Sequence, residues 1–203
     1  MSMEREKYDP PASRPLFEFG EALNADWNII NDGVMGGRSQ GRLRAVDAHH
    51  SAFEGVVSLA NNGGFTSMVT RTQPLDLSEY AGIRIHARPC TPAFADRIDE
   101  ASYKQAKTYM LRLKIATQRG ISRFSYEHRF EAPARDDAGQ EPGVFDIPLE
   151  AAAFTPVFRG RQLRNVPALD TAAMRIAEVG FMIRDGQEGS FCLELGPVEL
   201  YQK

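Results

Sequence analysis

Residues 27 to 39 read Trp27-Asn28-Ile29-Ile30-Asn31-Asp32-Gly33-Val34-Met35-Gly36-Gly37-Arg38-Ser39. The stretch holds three glycines, an acid, a base, a hydroxyl and the chain's one Trp. Glycine is needed where φ is positive or where another group comes close. A loop so rich in glycine that also carries Asp32, Arg38 and Ser39 has two readings. It is a binding loop for a polar ligand, or it is a tight turn in which Asp32 braces backbone amides. Nucleotide chemistry fails a position-by-position test. Gly37-Arg38-Ser39 matches the tail of a Gly-x-x-x-x-Gly-Lys-Ser/Thr phosphate loop, but Asp32 stands where its first Gly belongs and Arg38 where its Lys belongs. Gly41-Arg42-Leu43 does not open the helix that this loop requires. No dinucleotide-type Gly-x-Gly-x-x-Gly follows a strand either.

Two further clusters have residue types suited to binding. Asn61-Asn62-Gly63-Gly64-Phe65 reads first as a hairpin turn, because Asn and Gly tolerate left-handed backbone. Its alternative is a second binding loop on the same rim. Phe154-Thr155-Pro156-Val157-Phe158-Arg159-Gly160-Arg161 sets two arginines around a glycine after an aromatic pair. Arg grips carboxylate or phosphate with two parallel hydrogen bonds. The plainer expectation is that each pairs with an Asp or Glu of the chain.

The candidate binding residues are therefore Trp27, Asp32, Arg38, Ser39, Asn62, Phe158, Arg159 and Arg161. Gly33, Gly36, Gly37, Gly63 and Gly64 are the structural glycines of the two loops. In a protein-binding reading, Asp32, Arg38 and Arg159 are polar anchors, with Trp27 and Phe158 as apolar ones. In a sugar-binding reading the set is Trp27, Asp32, Asn62 and Arg161.

Catalytic sets are poor. His49 and His50 follow Asp47 in a polar segment, and His86 and His128 fall within strand patterns as surface residues. None has metal-ligand spacing, and no Gly-x-Ser-x-Gly elbow is present. Asp32 and Asp185 lack the dense acidic loop that a Ca²⁺ site needs. No catalytic residue, metal or cofactor is expected.

Strands must position these loops. Ile83, Ile85 and Ala87 alternate with Arg84, His86 and Arg88. Tyr109, Leu111, Leu113 and Ile115 alternate with Met110, Arg112 and Lys114. Phe191, Leu193 and Leu195 alternate with Cys192, Glu194 and Gly196. Each pattern predicts a strand with one buried face. Less regular strands are expected at 53–59, 65–71, 121–130, 143–148 and 178–184. Asn61–Gly64, Asp136–Gly139 and Asp185-Gly186 supply turns. Helix signals are short: 150–154, 170–176 and a polar excursion within 91–106. Residues 1–15, broken by Pro10, Pro11 and Pro15, read as a flexible arm. Many short strands in one chain predict an all-β antiparallel sandwich of the jelly-roll kind, a single domain over 16–203.

Bulk properties agree. The 203 residues suit one domain, and 42% hydrophobic with 25% charged residues is ordinary for a globular chain. A net charge of −3 gives no overall electrostatic case for nucleic acid or an anionic membrane. No apolar run is long enough to span a bilayer. Cys90 and Cys192 form no metal pattern and read as two reduced thiols in a cytosol-like compartment.

The clusters in order resemble the complex I intermediate-associated protein 30 family. The Trp27–Ser39 block resembles its opening motif. Phe53-Glu54-Gly55-Val56-Val57-Ser58-Leu59 and Asn62-Gly63-Gly64-Phe65-Thr66-Ser67 are similar to its next segment. Asp76-Leu77-Ser78-Glu79-Tyr80-Ala81-Gly82-Ile83, the Phe154–Arg161 cluster, and Val179-Gly180-Phe181-Met182-Ile183 with Gly189-Ser190-Phe191 follow in the family's order. The match runs over residues 17–201. Two departures stand out. An insertion at about 89–107 replaces a short Gly-Asp-Gly turn, and Gly143-Val144-Phe145-Asp146-Ile147-Pro148 lacks the family's Trp. The resemblance implies a galactose-binding-like β-sandwich and a non-enzymatic assembly factor, similar to chaperones of respiratory complex I, with a protein client. A small-molecule or carbohydrate module, with or without an unrecognised activity, is the alternative. The expected compartment is the cytoplasm, or the mitochondrial matrix if a presequence has been removed.

Overall fold

The alternating apolar residues become the two inner faces of a β-sandwich. The structure is a computed structural model and describes residues 12–93, 100–135 and 143–202. Its strands are β1 (Ser13–Phe17), β2 (Asn28–Asn31), β3 (Gln40–Ala45), β4 (Ser51–Val57), β5 (Thr66–Leu75), β6 (Tyr80–Pro89), β7 (Lys107–Thr117), β8 (Gly120–Ile121), β9 (Ser125–Ala132), β10 (Gly143–Pro148), β11 (Thr155–Phe158), β12 (Arg161–Gln162), β13 (Ile176–Ile183) and β14 (Gly189–Gln202). The smaller sheet runs β10-β6-β14-β4-β3, with β1 also on β14. The larger runs β12-β11-β9-β7-β13-β5-β2, with β8 on β7. Neighbouring strands pair antiparallel, as in Leu113 opposite Tyr126 and Leu193 opposite Phe53.

The core lies between the sheets. Ile83, Ile85, Phe53, Phe191 and Leu193 face Leu111, Leu113, Tyr126, Val179 and Phe181, all buried. Burying such side chains contributes about 1.5–3 kcal/mol each. Trp27 joins this core, with its ring 5.1 Å from Phe17, 5.6 Å from Phe19 and 5.9 Å from Phe181. The fold is therefore the expected all-β antiparallel sandwich. Helix is confined among the described residues to α1 (Glu100–Tyr103) and short 3-10 turns such as Ala151–Ala153.

Four expectations change. Residues 13–15 belong to β1 rather than to the arm, since Ser13 pairs with Tyr201 and Pro15 with Glu199. β1 is an edge strand, where proline's missing N–H costs little. Asn61–Gly64 is not a hairpin turn: β4 and β5 lie in different sheets, so this segment crosses between them. Residues 171–173 form only a turn before β13. Cys90 and Cys192 are not reduced thiols but a disulfide, their Cα atoms 5.0 Å apart. β6 and β14 are neighbours, which brings together cysteines far apart in sequence. The thiols then no longer argue for a cytosol-like compartment. Residues 1–11, the turn at 136–139 and part of the 89–107 insertion lie outside the described residues.

Candidate binding cleft

Asp32 is fully buried and opens a 3-10 turn, Asp32–Met35. Its Oδ1 accepts the Ser39 amide at 3.0 Å. Its Oδ2 accepts the Ser39 hydroxyl at 2.6 Å, the Gly64 amide at 2.7 Å and the Phe65 amide at 3.4 Å. Burial opposes the charge, yet the Ser39 hydroxyl and these amides outweigh it and hold the carboxyl below its ordinary range. The glycines follow from this knot. A Cβ on Gly37 would collide with the Asp32 carboxyl group, and one on Gly63 would stand 2.5 Å from Oδ2. The Ser39 hydroxyl also accepts the Ser58 amide at 3.0 Å, and Asn61 Nδ2 donates to the Gly36 carbonyl at 2.9 Å. The loop is thus built as a brace, and what it fixes is the crossing segment 61–65.

That segment forms one boundary of a cleft of about 640 Å³ on the outer face of the larger sheet. The cleft is lined there by Asn62, Gly63, Gly64 and Phe65, and beyond β9 by Phe158, Arg159 and Gly160. Ile30, Val157 and Met182 add apolar surface between them. Register explains the grouping: Ile30 and Met182 both lie opposite Ser67, and Arg112 opposite Glu127. A second hollow of about 460 Å³ continues it past His128, Thr155 and Gln162, sharing Glu127, Arg129 and Arg184.

The cleft is strongly basic. Among the described residues Arg112, Lys114, Arg123, Arg129, Arg159 and Arg184 line it, against the single acid Glu127. Glu127 Oε1 takes Arg112 Nε at 3.1 Å and its Oε2 lies 3.4 Å from Arg184 Nη2. Lys114 Nζ lies 2.7 Å from Glu178 Oε1. Burial pushes the Arg112 guanidinium down from its usual range, with Glu127 opposing it, but arginine stays charged throughout. Arg123, Arg129 and Arg159 are exposed, and none has a carboxylate partner among the described residues. Arg159 instead lies over the Phe158 ring, 5.3 Å from its centroid. It has φ 49° and Gly160 has φ 79°, in a two-residue turn joining β11 to β12. Left-handed backbone at both positions marks a primed hairpin turn.

The predicted site residues therefore separate. Asn62, Phe158 and Arg159 line the cleft together. Asp32 and Ser39 are buried in the brace behind its rim, with Gly33, Gly36 and Gly37 in the same loop. Trp27 is half-buried against core aromatics, its Nε1 without an acceptor among the described residues. Arg38 and Arg161 are exposed and lie outside the cleft lining. Sequence reasoning missed Arg112, Lys114, Arg123, Glu127, Arg129 and Arg184. Arg112 and Lys114 of β7 and Glu127 and Arg129 of β9 are polar strand positions, and Arg123 and Arg184 flank strands, but nothing local says that these residues meet in one hollow. Among the described residues no group of His, Cys, Asp and Glu is arranged to hold a metal, and no helix is long and apolar enough to cross a membrane.

Solved structures share this fold. A family 11 carbohydrate-binding module from Clostridium thermocellum, in complex with a β-1,3-1,4-mixed-linked tetrasaccharide, aligns with TM-score 0.61 at 13% identity, over 96% of this chain and 98% of that one. The family 11 module of the cellulosomal cellulase Lic26A-Cel5E of the same organism gives 0.60 at 11% identity, over 96% and 97%. An agarase gives a TM-score of 0.56 at 14% identity, over 94% of this chain and 24% of its own. Identities this low establish the architecture alone. A search of curated proteins finds no match. The sequence itself carries the closer relationship: residues 17–195 match the family model of complex I intermediate-associated protein 30, so the chain belongs to that family.

Proposed function

We propose that this protein is a non-enzymatic binding module for the assembly of a larger protein complex, and that it holds its protein client in the basic cleft. One observation carries the choice of surface. Arg123, Arg129 and Arg159 stand around a concave face with no carboxylate partner among the described residues, whereas both oxygens of Asp32 are engaged internally. Arginine is over-represented among residues that dominate protein interfaces. The family description, complex I intermediate-associated protein, supports an assembly role and respiratory-complex subunits as clients.

The test is site-specific photo-crosslinking in an extract of the source cells. A crosslinker replaces Ile30, in the cleft and 41% exposed, or Val144, on the other sheet and 53% exposed. Capture of defined proteins from position 30 and not from 144 is expected. Equal capture at both positions, or none at 30, overturns the reading.

A carbohydrate ligand is the second reading, favoured by the shared architecture with modules that bind sugars. Against it, the cleft's aromatic side chains are Phe65 and Phe158, and the Phe158 ring already carries Arg159. A ligand of the native state raises stability. Thermal shifts with neutral oligosaccharides therefore discriminate: no shift is expected, and a rise would favour the sugar.

A further inference from the structure

We propose that the cleft receives an extended, acidic segment of polypeptide, whose carboxylates pair with Arg123, Arg129 and Arg159, arginines that have no carboxylate partner among the described residues. The inference rests on the cleft being the client surface and names the chemistry that surface selects.

The charge distribution comes first. A chain of net charge −3 collects, among the described residues, six basic side chains around one acid here. Like charges held close repel, and the repulsion grows where water is excluded. The protein neutralises part of the set itself, through Glu127 on Arg112 and Arg184 and through Glu178 on Lys114. Among the described residues it sets no carboxylate on Arg123, Arg129 or Arg159, each with donors arranged to take one bidentately.

Backbone geometry at Arg159 adds an independent argument. Its φ of 49° belongs to a region that Gly or Asn occupies at lower cost. Strained residues of this kind concentrate where a side chain is needed at one place. The strain here sets a guanidinium on the cleft's rim.

The apolar surface then chooses among anions. Ile30, exposed beside the arginines above the nearly buried Val157 and Met182 of the cleft floor, suits a segment that mixes acidic with apolar residues. Nucleic-acid bases and sugar rings seek open aromatic faces; of the two aromatics in the described lining, Phe158 carries Arg159 on its ring and Phe65 is half-buried. Glu127 and Glu178 also place negative charge beside the basic set, which a dense row of phosphates or sulfates would meet.

The experiment uses the full chain and the anisotropy of a fluorescent peptide alternating Glu with Val, beside the same peptide with Gln for Glu. The Glu peptide is expected to bind at least roughly tenfold tighter, and to weaken with salt. Arg129→Gln with Arg159→Gln should cost roughly tenfold or more, whereas Arg38→Gln with Arg161→Gln should cost little. Both double variants remove the same charge, so only position separates them, and all four side chains are exposed. Equal binding of the two peptides, or equal loss in the two variants, overturns the proposal. So does tighter binding of a sulfated oligosaccharide or a single-stranded oligonucleotide. Competition separates the two levels of the reading. If position 30 captures clients that the Glu peptide does not displace, the acidic segment is wrong and the cleft reading stands. If position 30 captures nothing, the cleft reading falls.

Discussion

At the scale of single residues, Asp32 shows how one side chain can look functional for an architectural reason. A buried acid, a hydroxyl and glycines at close spacing mark both a ligand site and a knot of hydrogen bonds. The geometry fits the knot: the acceptors for Ser39, Gly64 and Phe65 are the oxygens of one carboxylate. Asp32→Ala should then cost about 2–4 kcal/mol, because buried amides lose their acceptor. The pH dependence has a defined sign. The folded-state pKa of Asp32 lies below the ordinary 3.8, so its contribution is complete above that value and fades as pH falls toward the folded-state pKa. Urea unfolding of both proteins at about pH 7 and about pH 3 measures it. The gap should narrow in acid. A constant gap, or none at either pH, would show that the carboxylate is not the brace. The sequence left this choice open because the amides of Gly64 and Phe65 come from a segment 32 and 33 positions away, a distance no local pattern spans.

At the scale of elements, the β11–β12 turn joins local conformation to the cleft. Two consecutive left-handed residues are usual for Asn-Gly, and this chain places Arg159 before Gly160. Arg159→Asn should relieve strain but also lose the contact with the Phe158 ring. The net expectation is a fold unchanged to about 1 kcal/mol more stable. Binding of the Glu peptide should weaken in the same variant. Thermal unfolding and peptide anisotropy together check it: a clear loss of stability would show that Arg159 is not strained in this turn, and unchanged binding would remove it from the site. Much of the strand layout was legible. Leu111 and Leu113 point inward and Arg112 and Lys114 outward, as their alternation requires. The cleft was legible only at Asn62, Phe158 and Arg159, where unusual residue types signal special backbone. Arg129 and Arg184 look like ordinary solvated charges until sheet order sets β9 and β13 on either side of β7.

At the scale of the whole molecule, long-range pairing governs, and it is what the sequence shows least. Period-2 patterns tell which face of a strand is buried but not that β14 lies between β6 and β4. The Cys90–Cys192 disulfide is the covalent record of that arrangement. It closes a loop of 102 positions, about half the chain, between strands that already pair. The Cys90 amide donates to the Cys192 carbonyl at 3.1 Å, and Pro89 lies opposite Leu193. The folded sheet therefore has its own reasons to close there. The bond's main effect should fall on the unfolded chain, whose freedom it restricts. Cys90→Ala with Cys192→Ala should leave the far-ultraviolet spectrum and peptide binding unchanged. It should lower unfolding free energy by about 2–4 kcal/mol. The denaturant slope should also rise, because an unlinked unfolded chain exposes more surface. Thiol titration of the denatured wild type, prepared without reductant, should find no free cysteine. Two free thiols, or equal unfolding midpoints for the two proteins, would return Cys90 and Cys192 to the reduced state that their sequence context suggests. The sandwich would then be held by its core and its sheet pairing alone.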